Sequence, residues 1–329
     1  MKSDSAAGES GPGNGLDGRR VAVTGAAGFI GSRLTVRLTD LGNEVVAIDC
    51  LLGDSYPAGV KRAAWDSINA LDGVEGHLLD LRSDRLEPAL DGVETVFHLA
   101  AMTGLHDGAV PSLYRSCNAE ASERLARACL DAGVSRFIHA STSSVYGERV
   151  IGNENVPLEP VSDYGRTKLE AERLLGEISR SGDLDLTILR LFSVFGPGQR
   201  PDMAHHRLIR AALEGHPFEV FGDGEQARSN TYIDDIVDGF VESMSPAAIG
   251  ETINLAGGET VRLNDAIAMV ERLTGTRVER VPRPSRPGDQ RHTEGDCSKA
   301  RDLIGFRPRT GFDEGIARQI EWQSERSPR

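Results

Sequence analysis

Short apolar segments that alternate with helical patterns are the feature that most constrains the fold of this chain. Apolar runs of strand length occur at 21–23, 45–48, 93–99, 136–140 and 186–191, with a shorter strand pattern at 76–80. Amphipathic helical patterns occur at 30–41, 119–132 and 163–178. Strands that are apolar on both faces and alternate with helices are typical of a parallel sheet covered on both sides. The sequence therefore predicts an α/β fold with a doubly wound parallel sheet.

Three glycines lie between the first predicted strand and the first predicted helix. Gly25, Gly28 and Gly31 have the spacing G-x-x-G-x-x-G, which lets backbone amides and the start of a helix receive a pyrophosphate. A tight turn without a ligand would use the same glycines. Asp49 ends the next strand, where a carboxylate accepts both hydroxyls of an adenosine ribose and repels a 2′-phosphate. Since no basic residue stands beside Asp49 in the sequence, we predict a Rossmann-type sheet that binds NAD rather than NADP.

The residue composition and the pattern of apolar residues divide the chain into three parts. Residues 1–18 are rich in Gly, Ser and Asp and predict a disordered tail. Residues 19–194 carry the alternating pattern and predict the NAD-binding Rossmann domain. Residues 195–329 are broken by Gly and Pro, and we expect them to form mainly a smaller C-terminal substrate-binding lobe. Segments near 231–256, with a helix pattern at 232–244 and a strand pattern at 252–255, are expected to return to the first domain.

Charge and composition limit the classes of partner and ligand that we expect for this chain. The net charge of −13 repels nucleic acid and anionic membranes, so we expect neither as a partner. No window approaches the roughly 18 consecutive apolar residues of a membrane span, which favours a soluble cytoplasmic protein. The four cysteines, Cys50, Cys117, Cys129 and Cys297, are far apart and are expected to be small buried hydrophobic residues in a reducing compartment. The adjacent pair His205 and His206 has no acidic cluster beside it, so we expect no metal site.

Tyr164 and Lys168 are the first candidates for chemistry. They are four residues apart on a predicted helix and therefore share one face. A tyrosine has a reference pKa near 10, and a nearby lysine ammonium and a nicotinamide cation would favour the phenolate that can act as a base. An exposed pair at this spacing on an ordinary helix surface is the alternative interpretation.

From Arg20 to Trp322 the sequence closely resembles the extended short-chain dehydrogenases, within them the nucleotide-sugar epimerase/dehydratase family and especially the UDP-sugar 4-epimerases. The motifs that carry the resemblance are TGAAGFIG at 24–31, HLAA at 98–101, STSSVYG at 141–147, YGRTK at 164–168, GPGQRPDMA at 196–204, GDGEQARSNTYIDD at 222–235 and RPGDQRHTEGDCSKA at 286–300.

The resemblance implies a role for each matching residue. Tyr164 would remove the proton of the sugar hydroxyl, Lys168 would hold the nicotinamide ribose, and Thr142 would hydrogen-bond the reacting oxygen. The implied NAD contacts, besides Tyr164 and Lys168, are Gly25, Gly28, Phe29, Ile30, Gly31, Asp49, Asp80, Leu81, Leu99, Ala100, Ala101 and Asn118. The implied substrate contacts are Ser143, Ser193, Arg228, Arg286 and Asp289. Asp80 would lie near the adenine amino group, although a capping role for this aspartate stays equally open.

The residues after Thr142 bear on the reaction. Family dehydratases carry an Asp-Glu pair there, and this chain has Ser143 and Ser144, whose hydroxyls cannot replace a carboxylic acid. We therefore predict a nucleotide-sugar 4-epimerase that forms a transient 4-keto sugar and returns the hydride. A UDP-glucuronate decarboxylase, an NDP-4-keto-sugar reductase and a non-catalytic protein that binds NAD or a sugar nucleotide remain as alternatives.

Three departures from the family pattern leave the sugar open: Ser193 replaces a usual Asn, Ser229-Asn230 replaces an acid-aromatic pair, and 102–106 lacks a common Gly-Val pattern. The nucleotide is expected to be UDP or dTDP. The resemblance also implies a homodimer through the helices at 119–132 and 163–178. Apolar positions such as Leu125, Cys129, Leu169 and Leu174 suggest this contact, although burial under the chain's own loops would explain them as well.

Overall fold

The computed structural model describes residues 18–53, 56–104 and 110–326, so the predicted tail falls outside it except for Gly18. Its strands are β1 (Arg20–Thr24), β2 (Glu44–Asp49), β3 (Val74–Leu78), β4 (Thr95–His98), β5 (Arg136–Thr142), β6 (Arg149–Gly152), β7 (Asp185–Leu191), β8 (Ser193–Phe195), β9 (Phe218–Phe221), β10 (Ala227–Tyr232), β11 (Thr252–Leu255), β12 (Glu259–Arg262), β13 (Arg280–Arg283) and β14 (His292–Gly295). Its α-helices are α1 (Phe29–Asp40), α2 (Ala58–Asn69), α3 (Glu87–Leu90), α4 (Pro111–Arg115), α5 (Ala121–Ala132), α6 (Asp163–Ser181), α7 (Ala204–Glu214), α8 (Ile233–Glu242), α9 (Leu263–Thr274), α10 (Ser298–Ile304) and α11 (Phe312–Ser324).

Seven strands form the main sheet in the order β11-β7-β5-β4-β1-β2-β3, and every pair in it is parallel. The predicted α/β fold with a doubly wound Rossmann-type sheet is confirmed. The strand order reverses between β1 and β4, and in such sheets ligands bind outside the carboxyl ends of the strands at this point. β11 pairs with β7, which brings a strand from the second half of the chain into this sheet.

Alternate residues of the strands enter two separate cores, one on each face of the sheet. Val21 and Val23 of β1 pack in one core with Leu34 and Leu38 of α1, and Ala22 points into the other core with Leu125 of α5. This division follows from the two-residue period of a strand. It explains why the strands read as continuous apolar runs in the sequence.

β6 and most strands after residue 191 build two smaller sheets. One has the order β12-β10-β14-β6 with β8 paired to β10, and the other pairs β13 with β9. Helices α7, α9 and α11 pack on one another in this region. Among the described residues, no helix is both long and apolar enough to cross a membrane.

One expectation about helices needs correction, and three of the residues named for the dimer contact lie inside the chain. The helix predicted from Ala119 begins at Ala121 as α5. A π-helical turn, Ser116–Glu120, lies between α4 and α5 and includes Ala119. The apolar residues that suggested a dimer contact, Leu125, Cys129 and Leu169, are buried inside the chain itself, with Leu125 and Cys129 in the core beneath the sheet. They give no support to a dimer, because a residue that fills its own core has no surface left to offer.

The cysteines and histidines differ in part from expectation. Cys129 is buried as predicted, but Cys50 is exposed and Cys117 and Cys297 are half-buried. Cys50 follows β2 and Cys297 precedes α10, while Cys117 lies in the π-helical turn. His205 packs against Phe195 and Phe312, while His206 Nδ1 lies 2.9 Å from the Gln199 carbonyl oxygen. Both are thus engaged in packing or backbone contacts.

Candidate active site

A cavity of about 370 Å³ opens at the carboxyl edge of the main sheet, where the strand order reverses. Its wall includes Thr142, Tyr164 and Ser193 among the predicted site residues, together with Gly25, Gly28, Phe29, Ile30, Gly31, Asp49, Asp80, Leu81, Leu99, Ala100 and Ala101. Six predicted residues lie away from this wall, namely Asn118, Ser143, Lys168, Arg228, Arg286 and Asp289. The cavity therefore joins the predicted NAD contacts to two of the three predicted catalytic residues.

The glycine turn between β1 and α1 is shaped so that no larger residue fits. Gly25 has a φ of 72°, and a Cβ on it would lie 2.8 Å from the Ala100 amide nitrogen. A Cβ on Gly31 would lie 2.1 Å from the Gly25 carbonyl oxygen. The turn is thus a cradle of bare backbone at the start of α1, where amides and the helix dipole favour an anion. This geometry fits the pyrophosphate of a dinucleotide.

Asp49 is fixed at the end of β2 by backbone amides. Its Oδ2 accepts a hydrogen bond from Ala27 at 3.0 Å and its Oδ1 accepts one from Leu51 at 2.7 Å. Each oxygen keeps a second lone pair for a ligand hydroxyl. The expectation that no basic residue stands beside Asp49 holds only along the sequence, because Lys61 and Arg82 also lie on the wall of this cavity.

Asp80 is held by Arg82 rather than left open. Arg82 donates from its Nη2 to Asp80 Oδ2 at 2.6 Å, and its backbone amide donates to Asp80 Oδ1 at 2.9 Å. The hydrogen bond from the guanidinium lowers the pKa of Asp80, with burial acting in the opposite direction. The local turn role that the sequence left open is therefore present, and Arg82 is paired with Asp80.

Thr142 and Tyr164 meet at the other end of the cavity. Thr142 is the last residue of β5, and Tyr164 lies in the first turn of α6, whose N-terminus is capped by Ser162 through a 3.1 Å hydrogen bond from the Gly165 amide. Burial raises the pKa of Tyr164, while a hydrogen bond with Thr142 and the charge of Arg200 act to lower it. The two side chains can therefore share the oxygen of a reacting hydroxyl.

Lys168 shares the helix with Tyr164 but contacts a different partner from the one expected. Its Nζ lies 3.0 Å from Nε2 of His139, and the side chain is 2% exposed. Burial lowers the pKa of Lys168 to about 7, and the negative charge of Glu172 opposes that shift. The charge of Arg200 lowers the pKa of Tyr164 in this structure. The influence of Lys168 on Tyr164 stays a prediction.

Asn118 supports the cavity wall from behind. It is fully buried, its side chain accepts from the Met102 amide at 2.8 Å and donates to the Met102 carbonyl at 3.0 Å, and it also donates to Thr167. It therefore fixes the loop after β4 against α6. Both amide hydrogens of Asn118 are donated to these partners, while its Oδ1 keeps a second lone pair that a ligand donor could use.

Three of the predicted substrate residues, Arg228, Arg286 and Asp289, lie after residue 195, whereas Ser143 follows β5 and Ser193 begins β8. Arg228 donates to Asp289 Oδ1 at 2.8 Å, and the Arg286 guanidinium lies 3.7 Å from the centre of the Phe221 ring. Gln290 of the same loop donates to the Ser143 carbonyl at 3.1 Å. The loop that carries Arg286 and Asp289 is therefore tied to the end of β5, next to the catalytic threonine.

Sequence reasoning missed Arg200 and Tyr56, which lie on the cavity wall. Arg200 donates to both carboxylate oxygens of Asp202, at 3.0 and 2.6 Å, and to the hydroxyl of Thr103. Its guanidinium lies 5.4 Å from the centre of the Tyr56 ring. Arg200 lies inside the GPGQRPDMA motif at 196–204, and this position in a family motif is the sequence feature that could have identified it. Tyr56 carried no signal, because its loop has no pattern.

Comparison with known proteins agrees with this geometry. The model of the NAD dependent epimerase/dehydratase family matches residues 21–256. An uncharacterized UDP-glucose epimerase, YtcB, of Bacillus subtilis is 37% identical over 93% of this chain and 98% of its own length. The crystal structure of UDP-glucuronic acid 4-epimerase from Bacillus cereus, in complex with UDP-glucuronic acid and NAD, is 36% identical with a TM-score of 0.90, covering 94% of this chain and 100% of that one. MoeE5 in complex with UDP-glucuronic acid and NAD is 39% identical with a TM-score of 0.84 and the same coverage of both chains.

Proposed function

Because the chain belongs to the NAD-dependent epimerase/dehydratase family, we propose that it inverts C4 of a UDP-linked sugar by transient oxidation to a 4-keto sugar and return of the hydride. NAD is its cofactor. The observation that carries the proposal is the meeting of Thr142 and Tyr164 on one cavity with the glycine turn and Asp49. A protein that only binds a nucleotide needs no tyrosine base in that position.

The chain's own residues divide the chemistry as follows. Bound NAD supplies the acceptor and donor of the hydride. Tyr164, once deprotonated, takes the proton of the C4 hydroxyl and returns it after the sugar has been presented by its other face. Thr142 holds the reacting oxygen by a hydrogen bond. The charge of Arg200 and the hydrogen bond of Thr142 both favour the phenolate of Tyr164 against the effect of burial.

Dehydration and other eliminations lack a suitable acid in this cavity. Its carboxylates within the described residues are Asp49 and Asp80, which follow β2 and β3. β2 is three strands away from β5, about 14 Å at the usual strand spacing. Ser143 and Ser144 stand where a dehydratase of this family would carry its acids. Return of the hydride is therefore the simplest route open to a keto intermediate.

For the sugar, we favour glucuronate. Arg200 provides a cation at the end of the cavity that holds Tyr164, and a hexuronate carries a carboxylate one carbon beyond C5. The Bacillus cereus and MoeE5 structures were both obtained with UDP-glucuronic acid. Ser193 lines the same cavity, and we assign it, with Ser143, to the sugar. Arg228, Arg286 and Asp289 are assigned to the diphosphate and nucleoside of UDP.

Three wider expectations stay predictions. One is the division into an NAD-binding domain at 19–194 and a substrate lobe after it. Another is the cytoplasmic location. The third is the homodimer, whose helices present charged outer faces such as the pair of Arg115 with Glu170, 2.9 Å apart. Light scattering at micromolar concentration gives the mass of two chains if the dimer forms and of one chain if it does not.

Incubation with UDP-glucuronate, UDP-glucose and their dTDP counterparts tests the proposed function. We expect UDP-galacturonate from UDP-glucuronate, at unchanged mass, and no conversion by Tyr164→Phe. Loss of CO₂ would show a decarboxylase, and release of a keto sugar with NADH would show an oxidoreductase. Binding of NAD and UDP-sugars without any conversion would leave the non-catalytic alternative.

A further inference from the structure

His139 is a fully buried histidine that the reaction as described above does not use. It lies on β5, three residues before Thr142, where the register places it opposite His98 of β4 and Ile188 of β7. Its ring centre is 5.3 Å from that of His98. Its Nε2 is 3.0 Å from Lys168 Nζ, and its Nδ1 is buried without a hydrogen-bond partner among the described residues. Buried polar groups normally have hydrogen-bond partners, so a buried imidazole whose single contact of this kind is with a lysine needs a physical explanation.

We propose that His139 is the positioning residue of Lys168: its neutral ring accepts a hydrogen bond from the Lys168 ammonium and fixes that charge against β5, one helical turn along α6 from Tyr164. This inference rests on the proposed function, since it assigns Lys168 to the same reaction.

With Lys168 as an ammonium, the contact with His139 allows one arrangement of protons. An ammonium has three donors and no acceptor, so the nitrogen that faces it must carry a lone pair. Nε2 of His139 is that nitrogen, and the proton of the neutral ring then sits on Nδ1. Burial lowers the pKa of His139 well below its usual value, and the charges of Lys168 and His98 act in the same direction. A neutral ring is therefore the state in which this contact is attractive.

The surroundings leave His139 as the acceptor that the structure gives to Lys168 within the described residues. Glu172, one turn further along α6, acts on Lys168 only through its charge. Its carboxylate is bound by the guanidinium of Arg190 at 2.7 and 3.0 Å and by the hydroxyl of Ser141. His98 is turned to Thr24 and Ser122, at 2.7 and 2.8 Å. Without His139, the buried ammonium would have no hydrogen-bond acceptor among the residues that the structure describes.

A lysine titration measures this directly, because the chain contains only four lysines. We would label them with ¹³C at Cε, saturate the enzyme with NAD, and assign the Lys168 signal by Lys168→Gln. Replacement by His139→Phe removes the acceptor, so the pKa of Lys168 should fall by about one unit or more, since a hydrogen bond to a charged group is worth about 1.5–3 kcal/mol. His139→Gln keeps an acceptor oxygen and should restore most of the shift.

The matched control is His205→Phe, which makes the same substitution at a buried histidine packed against Phe195 and Phe312. It should leave the Lys168 titration unchanged. An unchanged Lys168 titration in His139→Phe would overturn the proposal. If His139→Phe does not fold, the nitrogen shifts of the wild-type ring decide, because a proton found on Nε2 of His139 is incompatible with the ammonium donating to it.

Activity provides a second readout. In the epimerase assay the high-pH limb of kcat should move to lower pH in His139→Phe and return with His139→Gln, whereas a purely structural role would lower kcat equally at every pH. If the wild-type enzyme converts no UDP-sugar, the proposed function fails while the lysine titration still decides the role of His139.

Discussion

At the scale of single residues, Tyr164 and Thr142 are expected to differ in what their loss costs. Tyr164→Phe removes the group placed to move the C4 proton in either direction, so both half-reactions should stop, with kcat lowered by about 10²-fold to 10⁴-fold. Thr142→Val deletes one hydrogen bond and should slow turnover less. It also removes an influence that lowers the pKa of Tyr164, so the low-pH limb of kcat/KM should move to higher pH. Equal losses in both variants across the pH range would contradict this division.

Arg200 is expected to act on both the base and the sugar. Arg200→Gln removes a positive charge that lowers the pKa of Tyr164, so the low-pH limb of kcat/KM should again move to higher pH. If Arg200 also contacts the carboxylate of glucuronate, kcat/KM for UDP-glucuronate should fall about tenfold to hundredfold more than that for UDP-glucose. The control is Arg207→Gln, which breaks an ion pair with Glu219 on the surface of the same lobe. A control that behaves like Arg200→Gln would mean that the effect is not local.

Asp49 sets the choice of cofactor. Its carboxylate stands at the end of β2 with lone pairs free for a ribose, and it should repel a 2′-phosphate. We expect NAD to bind at least tenfold more tightly than NADP, about 1.4 kcal/mol. Lys61 and Arg82 on the same wall work against this preference, although Arg82 is paired with Asp80. Equal affinities in calorimetry would show that these cations outweigh Asp49.

At the scale of elements, the turn between β1 and α1 should tolerate no side chain. Gly31→Ala brings a Cβ within 2.1 Å of the Gly25 carbonyl oxygen, so turn and helix must move apart. We expect a loss of about 1–3 kcal/mol in the free energy of unfolding and weaker NAD binding. Gly59→Ala in α2 is the control, since a Cβ there meets open space and alanine favours a helix. Thermal unfolding and NAD titration of both variants check the prediction.

Local pattern explains how much of the elements could be predicted. The strands β1, β2, β4, β5 and β7 and the glycine turn follow from runs of neighbouring residues, which carry their own periodicity. The π-helical turn at Ser116–Glu120 leaves no such trace, because it changes hydrogen bonding without changing the apolar pattern. The same holds for the exposure of Cys50, which depends on how the loop after β2 runs.

Contacts between segments that are distant along the chain could not be predicted from the sequence. Arg200, Tyr56 and Thr103 come from three separate loops and meet only because the sheet brings their ends together. Lys168 could be placed on the face of Tyr164 from its spacing, but its partner His139 lies on β5 and follows from the packing of α6 on the sheet. Thr142 and Tyr164 were found through motifs, and a motif does not state a direction for each side chain.

At the scale of the whole molecule, the cavity at the carboxyl edge of the main sheet is where we propose that a hydride leaves C4 and returns to it. The net charge of the chain is −13, so its electrostatic field repels an anionic substrate. Local cations such as Arg200, Arg228 and Arg286 must therefore hold the substrate. We expect oxidation and re-reduction to take place while the sugar nucleotide and NAD stay bound. Neither a keto sugar nor NADH should then be released.

The most direct test follows deuterium from C4 of the substrate. UDP-glucuronate carrying deuterium at C4 is converted by the purified enzyme with its NAD, and the product is analysed by mass and by NMR. Transient oxidation predicts UDP-galacturonate of unchanged mass, deuterium retained at C4, and no lasting NADH absorbance. Loss of the deuterium to solvent, or NADH that builds up in step with a released keto sugar, would contradict the central claim.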